Sequence, residues 1–253
     1  MTGKSLRLFV QITLLGLLLG ASSTVANADA ISITTVTFSN LLITPATGTV
    51  QFTPTAASAV ALATNSFGET APVMSSTLPI AQASTAVTFA SSSGVANTNT
   101  FSATTNRLVA LTGCTCEASS AGQANLAATF VITGGTGNVT VNVSGLFTVL
   151  QSVMTDQFGT FSNSQAITTL LIDGVPIFDV TNIINVGRNL SDQASAIHQI
   201  SEAVSLAFNV PHTISLHIHA GSLAGSDVPE PATMVLLISG LGFMAGFVKK
   251  RRV

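Results

Sequence analysis

His217 and His219 stand two residues apart in the segment Ile214-Ser215-Leu216-His217-Ile218-His219. On an extended strand that spacing sends both imidazoles to one face. Two such rings are the start of a metal site, but no third ligand is identifiable nearby, since His212 has the opposite parity and His198 is remote. The favoured reading is an exposed polar strand face, with no metal and no cofactor. Asp173 and Asp179 form the other candidate set. Six residues apart across a turn, they could act as a carboxylate pair for Ca²⁺ or for glycoside chemistry. Asp173 is also accounted for as a turn residue, and two solvated acids is the simpler reading. No G-x-S-x-G segment picks a nucleophile out of the many serines. Gly134 to Gly137 has no helix behind it that could hold a phosphate. No catalytic set converges, so the chain reads as a non-enzyme.

Cys114-Thr115-Cys116 holds the only two cysteines. A loop disulfide between Cys114 and Cys116 is the leading reading and needs a tight turn. Two free thiols come next, and a metal or redox site last, because C-x-C is not C-x-x-C and no second pair exists.

The two ends carry a different chemistry, that of export. Lys4 and Arg7 precede an apolar run from Leu8 to Gly20, and Ala26-Asn27-Ala28 places small residues at the −3 and −1 positions of a cut before Asp29. The run is shorter than the roughly 20 residues of a comfortable membrane span. Residues 1–28 therefore read as a signal-peptide helix, with Ala26 and Ala28 marking its cleavage. At the other end Met234 to Val248 is apolar and uncharged, and Lys249-Lys250-Arg251-Arg252 follows at once. As a helix it would reach only about 22 Å, a marginal transmembrane anchor. Its cations keep the tail cytoplasmic and the body outside.

Before that run lies Val228-Pro229-Glu230-Pro231-Ala232-Thr233. Motif, apolar helix and basic cluster together resemble the tripartite PEP-CTERM sorting signal of Gram-negative, exopolysaccharide-producing bacteria, over residues 228–253. The resemblance implies an exosortase as partner, a cut near Val228, Pro229, Glu230 and Pro231, and passage from the inner membrane to the cell surface or extracellular matrix. Two prolines hold the strip extended, a form that a membrane-embedded protease can grip. A bacterial host also gives the three N-x-S/T matches at Asn138, Asn142 and Asn189 little meaning.

Between the signals, residues 29–227 are long enough for one domain with a real core. They hold only two cations, Arg107 and Arg188, against nine carboxylates. Phosphate-backbone binding needs clustered cations, so nucleic acid is excluded as a partner. Ser, Thr, Ala, Val and Gly dominate, Trp and Tyr are absent, and Phe supplies every aromatic. Such a composition suits an exported β domain whose exposed faces carry hydroxyls in place of charges.

Period-2 alternation supplies the elements. Val139, Val141 and Val143 face one way from Asn138 to Ser144, and Gly134 to Gly137 joins this strand to Ala127–Thr133 as an expected hairpin. A second hairpin, Ala166–Ile172 with Val175–Val180, turns at Asp173-Gly174, and Pro176 suggests an edge strand or bulge. A third pairs Val204–Phe208 with Ile214–Ile218 through Asn209 to His212. Further strands are expected at 31–38, 48–52, 107–112 and 146–150, and a turn or two of helix at 191–202. Residues 54–104 read as long solvent-facing connections, with Val87-Thr88-Phe89 the best short strand among them. The fold expected is all-β, a single antiparallel sandwich or jelly roll.

Function is expected at the level of class: a non-catalytic protein of the cell surface or extracellular polysaccharide matrix. A carbohydrate-binding module is the alternative, weakened by the lack of Trp and Tyr platforms for sugar rings. A secreted hydrolase rests on Asp173 and Asp179 alone.

Overall fold

The computed structural model describes residues 30–111, 114–156 and 159–227. The signal segment and the sorting tail expected from the sequence lie outside them. Twelve strands make up the described chain: β1 (Ala30–Pro45), β2 (Thr49–Asn65), β3 (Thr70–Ser75), β4 (Ile80–Val87), β5 (Ala90–Asn97), β6 (Ser102–Leu111), β7 (Thr115–Thr133), β8 (Asn138–Thr155), β9 (Gly159–Ile172), β10 (Val175–Gly187), β11 (Ser191–Ala207) and β12 (Pro211–Asp227). They form two six-stranded antiparallel sheets. Sheet I has the order β11-β8-β1-β6-β5-β4, and sheet II the order β10-β9-β12-β7-β2-β3. The sheets stack face to face, β4 over β2 and β3, β6 over β7 and β12, and β11 over β10. At about 3.3 Å per residue, the 19 residues of β7 reach about 60 Å, so the two-layer body is tall.

Alternation places the side chains as read. Val139, Val141 and Val143 are buried between the sheets, and the odd-numbered residues of β6 and even-numbered residues of β7 face the same interior. The Asp173-Gly174 hairpin forms between β9 and β10, with both residues at positive φ (49° and 78°), as a two-residue primed turn requires. Pro176 lies on an edge strand beside a register shift between Pro176 and Phe178.

Two expected hairpins are corrected. β7 and β8 do not pair; Gly134 to Gly137 carries the chain from sheet II to sheet I. Likewise β11 lies in sheet I and β12 in sheet II, so the turn at Asn209 crosses between layers. A reversal that keeps the same face inward can lay the next strand beside its predecessor or opposite it, and alternation is identical in both cases. The crossings lock together instead. Asn209 donates its amide to the Ile132 carbonyl (2.8 Å), and Phe208 donates to that of Gly137 (2.9 Å). The Phe208 ring covers Gly48 and Gly135, where a Cβ would lie 2.8 and 2.5 Å from it.

Two further expectations fail. Ser191 to Glu202 is strand, part of β11 paired along its whole length with β8, because ladder bonds outweigh a weak helical spacing. Residues 54–104 are mostly strand, and Val87-Thr88-Phe89 lies at the end of β4 and in its turn into β5. Alanine and serine have little strand preference of their own. Here Ala57, Ala59, Ala61, Ala63, Ala81, Ala83 and Ala96 are the buried faces of β2, β4 and β5.

Ala30 pairs with Leu111 and Thr155, and Asp227 pairs with Thr115. Both ends of the described body therefore lie at one pole, and the crossings around Phe208 form the other.

Candidate functional site

β12 runs through the middle of sheet II and carries His217 and His219 on the outer face. Ladder register aligns Ser58, Asn125, His217, Thr169 and Asp179 in one row across β2, β7, β12, β9 and β10. Asn125 donates to the Ser58 hydroxyl (3.1 Å), its side-chain oxygen lies 3.0 Å from Nδ1 of His217, and Thr169 donates to Asp179 (3.1 Å). His219 stands one row away and is half-buried. Burial first, then the charge of Arg107, pushes its imidazole below the ordinary range and favours the neutral ring. No group of three His, Cys, Asp or Glu placed to hold a metal exists among the described residues. The row sets hydrogen-bond donors and acceptors along the outer face of sheet II.

Asp173 and Asp179 do not converge. Asp173 accepts from the amide of Thr213 (2.7 Å) and its hydroxyl (3.3 Å), and lies 2.7 Å from Nδ1 of His212. Burial pushes its carboxyl up, but the Thr213 amide and His212 more than offset this and hold it below its usual range. Nε2 of buried His212 meets the Ala207 carbonyl (3.0 Å). Both ring nitrogens thus face acceptors, so both bonds form together only when the ring carries two protons. The set clasps the β9–β10 turn to β12. Asp179 lies four residues further along the ladder, about 13 Å away, beyond the ~9.5 Å limit for paired glycosidase carboxylates.

The least expected feature is inside. Arg107 is 2% exposed and lies between the sheets. It donates through Nε to the Ala220 carbonyl (3.2 Å) and through Nη1 to those of Ser93 and Asn106, while Nη2 has no partner. Burial pushes the guanidinium down to about 9. Gly122 leaves the space it occupies, since a Cβ there would lie 1.1 Å from Nη2. At the same level Thr34 bonds Ser222 (2.9 Å) and the Gly221 carbonyl (3.0 Å), Gln151 donates to Ser164 (3.0 Å), and Ser92 to the Ala121 carbonyl (2.8 Å). A polar belt therefore crosses the interior and divides a large apolar cluster from a small one at the pole of Ala30 and Asp227. The signal for it in the sequence was Arg107 itself, a cation at the inward parity of an alternating strand, together with the inward glycines Gly94 and Gly122.

Elsewhere, an open depression of about 500 Å³ on β4, β5 and β6 is lined by Ser84, Thr85, Ala86, Ser91, Ser92, Ser93 and Asn106, without a titratable group. Cys114 and Cys116 are joined in a disulfide, their Cα atoms 5.4 Å apart, at the pole where the chain ends meet. Ala26, Ala28 and the strip Val228 to Pro231 lie outside the described residues.

Residues 227–252 match the family described as the PEP-CTERM protein-sorting motif. No curated protein and no solved structure matches the chain. The chain carries that sorting motif, which supports an exported protein with a membrane-anchored precursor in a Gram-negative bacterium and an exosortase as its processing partner.

Proposed function

We propose that the body is a non-catalytic β-sandwich of the cell surface or extracellular polysaccharide matrix, released there when the tail is cut near Pro229-Glu230-Pro231. One observation carries this reading: the sorting motif begins where Asp227 ends β12, at the pole opposite Phe208, so the tail's attachment point occupies neither outer face. Those faces present Thr, Ser and Asn with few charges, which suits neutral or weakly charged polymers, and sheet I adds exposed Ile33, Leu108, Leu150 and Met154.

A carbohydrate-binding role is the second reading, favoured by the hydrogen-bonded row from Ser58 to Asp179. Without Trp or Tyr the contact would rest on hydrogen bonds, so it would be weak per site and spread along a chain of sugars. The test is retention of the exported protein on the polysaccharide of its own cells, with intact-mass analysis of the released form. The expected mass lacks residues 234–253. His217→Ala should leave that tail removal unchanged. Loss of polysaccharide retention in this variant would favour the binding module, and unchanged retention the structural role. A released mass that includes residues 234–253 would overturn tail processing.

A further inference from the structure

Among the described residues each sheet ends in two edge strands, and the two sheets treat them differently. The edges of sheet II carry the devices that stop strands from pairing with other chains. β3 is six residues long and contains Pro72; β10 contains Pro176, a register shift and Asp179. Sheet I has lighter protection: where β4 begins, Thr77 donates to the Ile80 carbonyl (2.6 Å) and the Gln82 amide donates to the Ser75 hydroxyl (3.4 Å), side-chain caps that an incoming strand would displace. β4 (IAQASTAV) holds neither charge nor proline, and β11 has no proline and no charge between Asp192 and Glu202. No lysine lies anywhere in residues 29–227. The two most exposed large apolar side chains among the described residues both stand on edge strands, Met74 on β3 at 75% and Ile197 on β11 at 72%.

Because sheet I has six antiparallel strands, β4 and β11 run in opposite directions. A second copy displaced sideways, without inversion, would bring its β4 antiparallel to the β11 of the first. With no shift along the strands, the ladder of one copy gives the register between copies. Following the pairs across the sheet, Gln82 is level with Val95, Thr104, Thr37, Thr148 and Ile197; Ser84 is level with Ser195, and Val87 with Asp192. Ala81 and Ala83, which face inward, would meet inward-facing His198 and Ala196. Gln82 would cover exposed Ile197. No like charges oppose each other at any of the eight positions. By contrast, β11 paired with itself around Ile197 would set Asp192 against Glu202, a repulsive pair.

We propose that the protein assembles head to tail by strand addition, β4 of one copy (Ile80–Val87) continuing sheet I of the next along Asp192–Gln199 of β11. The contact is heterologous and does not close, so it builds a filament. Each copy advances the assembly by six strands, about 29 Å, and strand twist turns the displacement into a screw. The proposal stands independently of what the body binds.

Cross-linking of the exported protein tests it. Ser84→Cys and Ser195→Cys in one chain should, under mild oxidation, give a ladder of dimers, trimers and longer species on a non-reducing denaturing gel. Either substitution alone should stay monomeric, and a mixture of the two should stop at dimers. The native cysteines do not compete, since Cys114 and Cys116 are bridged to each other. Dimers from Ile197→Cys alone would show β11 pairing with itself and overturn the head-to-tail arrangement. Light scattering on the unsubstituted protein gives a reading that no variant can spoil. Mass should rise with concentration, and a monomer throughout would overturn assembly altogether.

Discussion

Two regions of one interior solve the same packing problem in opposite ways. Towards the Phe208 pole the gap between the sheets is filled by large apolar side chains, with Phe38, Phe130 and Phe147 fully buried among Leu, Ile and Val. One level nearer the chain ends, the gap is filled by Arg107, a set of hydroxyls and the empty positions of Gly94 and Gly122. The first region draws its stability from area removed from water. The second carries the cost of a buried cation, met in part by three carbonyls and by no carboxylate among the described residues' bonds to it. Volume sets the tolerance of one, and geometry and charge set that of the other.

The contrast breaks most visibly in the apolar half. Phe130→Ala should cost about 3–5 kcal/mol, since a fully buried ring leaves a cavity that a stiff two-sheet interior closes poorly. Denaturant unfolding would show the midpoint fall with little change in slope. A smaller loss would mean that the sheets collapse onto the gap.

In the belt the sign of the damage reverses, and addition should hurt. Gly122→Ala should cost about 1–3 kcal/mol, because the new methyl displaces the guanidinium from its carbonyls. Made in an Arg107→Ala background, the same change should cost far less, so the double-mutant cycle should show strong coupling. Additive losses would place the clash elsewhere.

The same belt should also show in pH dependence. Burial lowers the folded guanidinium to about 9 while the unfolded chain keeps its proton to far higher pH, so above 9 the unfolded state binds more protons. Stability should therefore rise from pH 8 to 11. The body lacks Lys and Tyr and its cysteines are bridged, leaving little else to titrate there. Arg107→Met should flatten the profile. If the unsubstituted protein is already flat, the three carbonyl bonds hold the charge against burial.

The sequence by itself determined whatever depends on neighbouring residues. Alternation at Asn138 to Ser144 set which side chains point inward, Asp173-Gly174 specified its turn, and three consecutive parts at the carboxyl end spelled the sorting motif. These are local properties: the pleat, φ at two residues and a linear signal read in extended form. Tertiary structure decided which layer each strand enters. Gly134 to Gly137 and Asn209 reverse the chain whether the next strand lies beside or opposite, and only the locking of those turns around Phe208 chooses. It also made strands of the alanine- and serine-rich stretch from 54 to 104, whose weak preference is overridden by ladder bonds and close sheet packing. Of the candidate residues, Asp173 was legible as a turn former, but its bonds to His212 and Thr213 were not, because 39 and 40 residues separate them. Arg107 was visible as a lone cation. That its charge is held between two sheets, over a glycine 15 positions on, is a fact of packing that no local pattern contains.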